Sequence, residues 1–133
     1  MDDARLVCFG DDSDRQLGEG PDDASGAGPV EVALAAAPTE VGGGLIHGFA
    51  RTADGAVHCW GTDGHAQVDG SDRDTPAAIG GLLGAARALT VGGEHNCVVV
   101  RGEVWCWGRN HEDQLGTGGG DRSEPARVSG ILP

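Results

Sequence analysis

A unit of about fifty residues recurs along the 133-residue chain, and this repeat limits the possible folds more than any other feature. A cysteine, an aromatic residue and a glycine recur as Cys8-Phe9-Gly10, Cys59-Trp60-Gly61 and Cys106-Trp107-Gly108. Six residues after each glycine comes a glutamine, in the segments Gln16-Leu17-Gly18, Gln67-Val68-Asp69 and Gln114-Leu115-Gly116. A repeat of this length is typical of propellers, solenoids and arrays, in which each unit needs neighbours to bury its core.

Two further columns of residues are in register with these segments. Gly44 and His47 match Gly92 and His95, 48 residues later in the chain. A proline followed shortly by Val or Ile marks the last column, at Pro29, Pro76 and Pro125. We therefore treat residues 1–133 as a single repeat domain.

The apolar runs within each unit are short and indicate β-strands. Runs such as Val57–Trp60 and Val104–Trp107 are bounded by Gly or Asp and are too short for helices. The 25 glycines also disfavour helices, because an interior glycine costs about 1 kcal/mol relative to alanine. The sequence predicts an all-β chain in which each repeat unit contains four antiparallel strands. We place the last strand of one unit at about 4–10, complete units at about 29–61 and 76–108, and the first strand of the next at about 125–132.

The third unit allows its hairpin register to be derived. If Arg101-Gly102 forms a two-residue turn, Val98 faces Trp105 and Cys97 faces Cys106. The two cysteines then occupy a non-hydrogen-bonded pair, whose Cα atoms are roughly 4.5–5.5 Å apart. This separation is within disulfide range, so the register predicts a Cys97–Cys106 bridge.

The second unit repeats the hairpin with one more residue in its turn. A three-residue loop, Ala53-Asp54-Gly55, places Phe49 opposite Cys59, which predicts a free, buried thiol at Cys59. Cys8 would need a partner upstream of residue 1. A Cys8–Cys59 bond is disfavoured because the two cysteines hold equivalent places in adjacent sheets, which pack about 10 Å apart.

The charge excludes several classes of function. The formal net charge is −12, and all nine basic residues are arginine. The lack of lysine excludes a phosphate-loop lysine, a Schiff-base lysine and a lysine general base. The negative charge argues against nucleic acid and against anionic membrane surfaces as partners. The acidic start of the chain does not resemble a signal peptide, and no apolar run reaches the length of a membrane span.

Two clusters can be considered as metal sites, and we assign neither one. His47 and His95 lie two residues before the Phe49/Cys97 column and could bind zinc with cysteine, but a repeated structural role explains them better. The run Asp11–Asp14 lacks the glycine and glutamate of a calcium loop. We also find no catalytic arrangement of residues, so we expect no cofactor, no metal and no enzymatic activity.

The four columns resemble the regulator of chromosome condensation repeat family. The segments that carry the resemblance are Cys106-Trp107-Gly108-Arg109-Asn110, Gln114-Leu115-Gly116-Thr117-Gly118, Pro125-Ala126-Arg127-Val128 and Gly92-Gly93-Glu94-His95-Asn96-Cys97. The resemblance implies four-stranded blades, usually seven of them in a closed ring, so the units of this chain are expected to be blades of an incomplete β-propeller. The chain departs from the family pattern in two places. Arg15, Ala66 and Asp113 replace a glycine, and Val68-Asp69 replaces Leu-Gly, so we expect loosened loops there.

The resemblance also gives the expected roles of the repeated residues. A structural role in the repeat is expected for Cys8, Gly10, Gln16, His47, Cys59, Trp60, Gly61, Gln67, His95, Trp107, Gly108, Gln114 and Gly116. We expect Trp60 and Trp107 to pack between blades.

The function that the resemblance implies is non-catalytic binding of a protein whose identity the sequence does not reveal. The alternatives are nucleotide exchange on a small GTPase and an extracellular binding or inhibitor propeller. The length is well short of seven such units and favours a fragment of a larger propeller. The alternatives are completion by self-association and an open stack with exposed sheet edges. The paired cysteines favour an extracellular or periplasmic parent protein.

Overall fold

The computed structural model describes residues 4–20 and 28–129, and these residues form ten β-strands. The strands in chain order are β1 (Leu6–Cys8), β2 (Val30–Val32), β3 (Pro38–Gly43), β4 (His47–Thr52), β5 (Val57–Gly61), β6 (Arg73–Ala78), β7 (Ala86–Val91), β8 (His95–Val100), β9 (Glu103–Gly108) and β10 (Arg122–Arg127). Among the described residues, none belongs to a helix long and apolar enough to cross a membrane.

The strands form three antiparallel sheets, which confirms the all-β prediction. Strands β3 to β6 make one four-stranded sheet in chain order, and β7 to β10 make a second. Strands β1 and β2 pair with each other in a two-stranded sheet. Each four-stranded sheet is one blade of the propeller fold.

Strands β2, β6 and β10 follow or contain the repeated prolines Pro29, Pro76 and Pro125, and we call them the proline strands. They belong to a different blade from the one expected. We expected blades over 29–61 and 76–108, in which each proline strand precedes its hairpin. In the structure β2 pairs with β1, β6 with β5 and β10 with β9, so the blades span 38–78 and 86–127. The strand expected over 125–132 begins at Arg122, and residues 130–132 lie outside the described part.

The loop between β5 and β6 explains this pairing. The Asp63 amide donates to Asp72 Oδ1 at 2.8 Å, and the Val68 amide donates to Asp63 Oδ1 at 2.6 Å. These bonds close the loop and return the chain beside β5, where Arg73 lies opposite Gly61. The proline strand therefore becomes the fourth strand of the blade before it.

Both hairpin registers are confirmed. Strand β8 pairs with β9 so that Cys97 lies opposite Cys106, and β4 pairs with β5 so that Phe49 lies opposite Cys59. Positive φ angles at Arg101, Gly102 and Gly55 accompany the two turns. The structure joins Cys97 and Cys106 in a disulfide with a Cα separation of 4.1 Å, while Cys59 is a free, buried thiol.

The main core lies between the two four-stranded sheets. It consists of Phe49, Val57, Cys59, Val68, Ala86, Val98, Val100 and Trp107. The rings of Phe49 and Trp107 meet across it with centroids 5.5 Å apart. A smaller cluster of Val32, Ala50 and Trp60 joins the two-stranded sheet to its neighbour. Each sheet thus buries one face against the next, as a stack of repeats requires.

Each tryptophan of the repeat also makes a hydrogen bond to the repeat before it. Trp60 Nε1 donates to the Gln16 carbonyl oxygen at 2.8 Å, and Trp107 Nε1 donates to the Gln67 carbonyl oxygen at 3.0 Å. Gly48 faces Trp60 across the strands, and a Cβ there would collide with the indole. The tryptophan of each repeat therefore both packs against the preceding repeat and donates a hydrogen bond to it.

Removing the disulfide should destabilise the third unit. The bridge joins residues nine apart in sequence, and closing a loop of this length in the unfolded chain corresponds to about 2–3 kcal/mol. We expect the Cys97→Ala/Cys106→Ala variant to lose this amount of unfolding free energy, measured by urea denaturation under non-reducing conditions. Reductant should destabilise the wild-type protein and leave the variant unchanged. Four titratable thiols instead of two in the oxidised, unfolded wild-type protein would contradict the pairing.

Two tryptophans of β9 allow a matched test of the hydrogen bond between repeats. Trp107 is fully buried and bonded to Gln67, whereas the buried Nε1 of Trp105 has no hydrogen-bond partner among the described residues. We expect Trp107→Phe to cost about 2 kcal/mol, because it removes a hydrogen bond and leaves a cavity. Trp105→Phe should cost less than about 1 kcal/mol, because it removes an unsatisfied donor. Equal losses in denaturation followed by circular dichroism would contradict the role of the bond.

Candidate functional site

Three loops follow the Cys-aromatic-Gly strands and lie in a row at one end of the sheets. They comprise residues 10–20, 62–72 and 109–121. The first two loops touch where Thr62 Oγ1 donates to the Asp14 carbonyl oxygen at 3.0 Å and where Arg15 pairs with Asp72 at 2.8 Å. The second and third touch where His65 Nδ1 lies 3.2 Å from Asp121 Oδ2. The loops thus form one continuous surface.

Two short turns lie at the same end and complete this surface. The Thr62 amide donates to the Ile46 carbonyl oxygen, and the Arg109 amide donates to the Glu94 carbonyl oxygen. These bonds place turns 44–46 and 92–94 beside the loops. We call the three loops and two turns the loop face. Leu45, in the first of the two turns, is 70% exposed and donates its amide to Gly93 of the neighbouring turn.

The three loops share one pattern of side-chain hydrogen bonds. An Asp or Asn side chain accepts the amide five residues later, in the pairs Asp12/Leu17, Asp63/Val68 and Asn110/Leu115. The glutamine of each loop accepts the amide two residues earlier, in the pairs Gln16/Asp14, Gln67/His65 and Gln114/Glu112. The sequence prediction missed Asp12 and Asp63 as a structural column, although both hold the place of the Asn in Cys-Trp-Gly-x-Asn. The shared bonds give the loops one shape.

The residues that replace the family glycine keep a glycine-like backbone conformation. Arg15, Ala66 and Asp113 have φ angles of 62°, 62° and 55°, so each adopts the left-handed conformation that glycine favours. Such a conformation costs a non-glycine residue about 1–2 kcal/mol. The side-chain hydrogen bonds to neighbouring amides stabilise the turn against this cost.

The histidines of the repeat lie beneath the loop face. His47 is buried, with Nε2 2.7 Å from Asn96 Oδ1. Burial lowers the pKa of His47 below its ordinary value, so the imidazole is neutral. His95 is half-buried at the equivalent place. The zinc set considered from the sequence does not assemble, because Cys97 and Cys106 bond each other.

The remaining repeat residues occupy equivalent places in their units. Gly10, Gly61 and Gly108 all have positive φ angles at the ends of their strands. Gly116 also has a positive φ, in the third loop. Cys8 is a free, half-buried thiol on β1. In the run Asp11–Asp14, Asp11 accepts the Ser13 amide and hydroxyl, so its carboxylate serves the turn.

Burial makes Cys59 unsuited to chemistry. The residue is completely buried, and burial raises the pKa of its thiol well above the ordinary value. A nucleophilic or metal-binding cysteine needs its thiolate form. Cys59 is therefore an inert core residue.

Two histidines and two carboxylates meet between the second and third loops. His65 lies 3.2 Å from Asp121 and 3.4 Å from Glu94, and His111 lies 3.4 Å from Asp121. Burial pushes the pKa of Asp121 up, but bonds with the Asn110 amide and His65 outweigh this, and the pKa lies below its ordinary value. Within the described part of the chain, His65, His111 and Asp121 are the single set of three such residues close enough to share a metal ion. The sequence carries no local signal of this cluster.

The loop face is strongly acidic. The three loops contain ten Asp or Glu residues and two arginines, which accounts for most of the net charge of −12. The exposed Leu45 belongs to this acidic surface. A surface that combines an exposed apolar side chain with negative charge can bind an oppositely charged protein.

Comparison with known sequences identifies the repeat. The family described as the regulator of chromosome condensation (RCC1) repeat matches residues 101–132. The RCC1 domain-containing protein RUG3, mitochondrial, of Arabidopsis thaliana is 30% identical over 122 residues, covering 86% of this chain and 27% of RUG3. The human E3 ubiquitin-protein ligase HERC2 is 33% identical over 132 residues, covering 88% of this chain and 2% of HERC2. The chain thus spans roughly a quarter or less of the length of these relatives.

Comparison with solved structures shows the same fold. Yeast RCC1 (Prp20) in its complex with Kap60 matches with a TM-score of 0.84 at 21% identity, over 96% of this chain and 34% of that one. Human WBSCR16 matches with a TM-score of 0.83 at 22% identity, over 96% of this chain and 36% of that one. The stacked four-stranded blades, their repeated residues and these matches agree: the chain carries an RCC1-type repeat over residues 101–132 and has the fold of RCC1-type β-propellers.

Proposed function

We propose that this chain is a non-catalytic module that binds a protein partner with a basic surface through the loop face. The observation that carries the proposal is the concentration of acidic side chains on the surface that also exposes Leu45, on loops whose backbone is held by repeated hydrogen bonds. A preorganised surface binds with a smaller loss of conformational entropy than a flexible one.

Electrostatic attraction gives the expected partner its chemical class. A negatively charged surface raises the rate at which positively charged partners associate, and salt screens this effect. The same charge repels nucleic acid and anionic membranes. A basic protein is therefore the partner that the loop face fits best.

Two structural neighbours are consistent with this class of function. Yeast RCC1 (Prp20) was solved with Kap60 bound to it, and Prp20p from Saccharomyces cerevisiae was solved in connection with its binding properties to Gsp1p and histones. These proteins share the fold at 21% and 19% identity. They supply a panel of candidate partners for this chain.

The burial or bonding of Cys59, Cys97, Cys106 and His47 supports binding over catalysis at these side chains. Cys59 is buried and shielded from solvent, and Cys97 and Cys106 are joined in a disulfide. His47 is buried and engaged with Asn96. These groups stabilise the repeats and are poorly placed to meet a substrate.

A matched pair of leucines can test the proposed surface. Leu45 on the loop face is 70% exposed, and Leu83 at the opposite end of the sheets is 66% exposed. We expect Leu45→Ser to weaken binding about tenfold, which corresponds to about 1.4 kcal/mol, because it removes an exposed apolar side chain from the interface. Leu83→Ser should change the affinity less than about twofold. Calorimetry against purified histones, Gsp1p and Kap60 measures both.

The charge contribution can be tested in the same system. Glu112→Gln, at a loop-face side chain that is 79% exposed, should slow association at low salt. Glu31→Gln, at a 60% exposed side chain on β2, serves as the control. Failure of every basic protein in the panel to bind, or equal effects of the Leu45 and Leu83 variants, would contradict the proposal. Accelerated release of nucleotide from Gsp1p would instead support the exchange-factor alternative.

A further inference from the structure

We propose that His65, His111 and Asp121 bind a divalent transition-metal ion such as Zn²⁺ at the junction of two successive repeats. The three residues lie on the loop face, but the metal-binding proposal does not depend on the proposed partner-binding role of that surface. His65 belongs to the loop between β5 and β6, whereas His111 and Asp121 belong to the loop between β9 and β10. One ion would therefore link two blades.

The donor atoms are close to the spacing that such an ion needs. One donor atom from each residue lies within 4.8 Å of the others. Zinc bound to imidazole nitrogen and carboxylate oxygen at about 2.0–2.2 Å requires tetrahedral ligands roughly 3.3–3.5 Å apart. His65 Nδ1 and His111 Nε2 already lie 3.2 and 3.4 Å from the two Asp121 oxygens. A small rotation of His111, whose side chain is 54% exposed, would bring the nitrogens together.

The surrounding groups orient these ligands in advance. The second ring nitrogen of His65, Nε2, lies 3.4 Å from Glu94 Oε1, and Glu94 is itself paired with Arg109 at 2.9 Å. A carboxylate on the far nitrogen of a metal-binding histidine selects the tautomer and strengthens the ligand. Asp121 Oδ1 accepts the Asn110 amide at 2.8 Å, which holds that carboxylate toward the histidines.

The junction between the first and second loops contains an aspartate, Asp72, at the place that Asp121 occupies between the second and third loops. Asp72 directly precedes Arg73, which lies opposite Gly61 in its sheet. Asp121 directly precedes Arg122, which lies opposite Gly108 in the next sheet. One oxygen of Asp72 accepts the Asp63 amide at 2.8 Å, just as Asp121 accepts the amide of Asn110. The two aspartates are thus structural equivalents.

The cation at these two junctions differs. The second oxygen of Asp72 pairs with the Arg15 guanidinium of the preceding loop at 2.8 Å. The second oxygen of Asp121 instead meets the His65 imidazole, whose Nδ1 lies 3.2 Å away. A bound metal ion would supply at the second junction the positive charge that Arg15 supplies at the first. Imidazole and carboxylate are ligands that suit zinc and its neighbours in the first transition row.

The remaining coordination position would hold water. The side chains of His65, His111 and Asp121 are all partly exposed, so solvent reaches the space between them. A bound ion that links two blades stabilises the folded state by an amount that rises with the logarithm of the free metal concentration above the dissociation constant, because the unfolded chain does not bring the three residues together.

Calorimetry with the full chain tests the site. The protein is treated with chelator, exchanged into metal-free buffer and titrated with Zn²⁺, with Cys8→Ser as background so that the half-buried thiol cannot compete. We expect one ion per chain and a thermal unfolding midpoint that rises with zinc concentration. Co²⁺ in place of zinc should give the visible absorption of a low-coordinate complex.

Single substitutions identify the ligands. His111→Gln should weaken zinc binding at least tenfold, and the exposure of this side chain means that the fold tolerates the change. Asp121→Asn keeps an acceptor for the Asn110 amide and should also abolish tight binding. Glu94→Gln, which removes the carboxylate facing His65 Nε2 and the ion pair with Arg109 but none of the three proposed ligands, should weaken binding about tenfold. Asp72→Asn, at the equivalent place of the other junction, should bind zinc as the background protein does.

Two outcomes would overturn the proposal. One is the absence of saturable zinc binding in the background protein. The other is equal affinity, with an equal rise of the unfolding midpoint, in the background protein, His111→Gln and Asp121→Asn.

Discussion

The hydrogen bond from a tryptophan indole to the main chain of the preceding repeat is the interaction on which the rest of the structure depends. Trp107 reaches the Gln67 carbonyl oxygen, and Trp60 reaches that of Gln16. The accepting glutamine is at the same time the residue whose side chain closes its own loop, because Gln67 Oε1 accepts the His65 amide. Blade packing and loop shape are therefore coupled: a loop that opened would also release the next blade.

A buried polar chain reinforces this junction between the second and third units. Asn96 Nδ2 donates to the same Gln67 carbonyl oxygen, and Asn96 Oδ1 lies 2.7 Å from His47 Nε2. Because burial keeps His47 neutral, a proton on Nε2 satisfies both groups in this contact. Buried polar groups are costly unless paired, so this chain favours one register of the blades over alternatives. The repeated histidine thus has a structural use at His47.

The predictability of each feature from the sequence depended on the range of the interaction. The registers at Cys97/Cys106 and Phe49/Cys59 could be derived because a short turn determines which residues face each other. The blade boundaries could not, because a proline strand can pair with either neighbouring hairpin, and the choice depends on loop bonds such as Asp63 to Asp72. In the His65–His111–Asp121 cluster, His111 lies 46 residues after His65 and Asp121 lies 10 residues after His111, so no short sequence motif predicts the cluster.

The two sides of each loop are subject to different constraints. The inner side must keep the bonds made by an Asp or Asn side chain and a glutamine, and these hold even Ala66 in a left-handed conformation. The outer side is free to change, since the same turn presents Arg15 at one junction and places His65 at the next. A backbone that does not depend on its outward side chains lets charge vary from repeat to repeat without altering the fold. This separation allows one architecture to carry an acidic binding surface and a histidine cluster on adjacent loops.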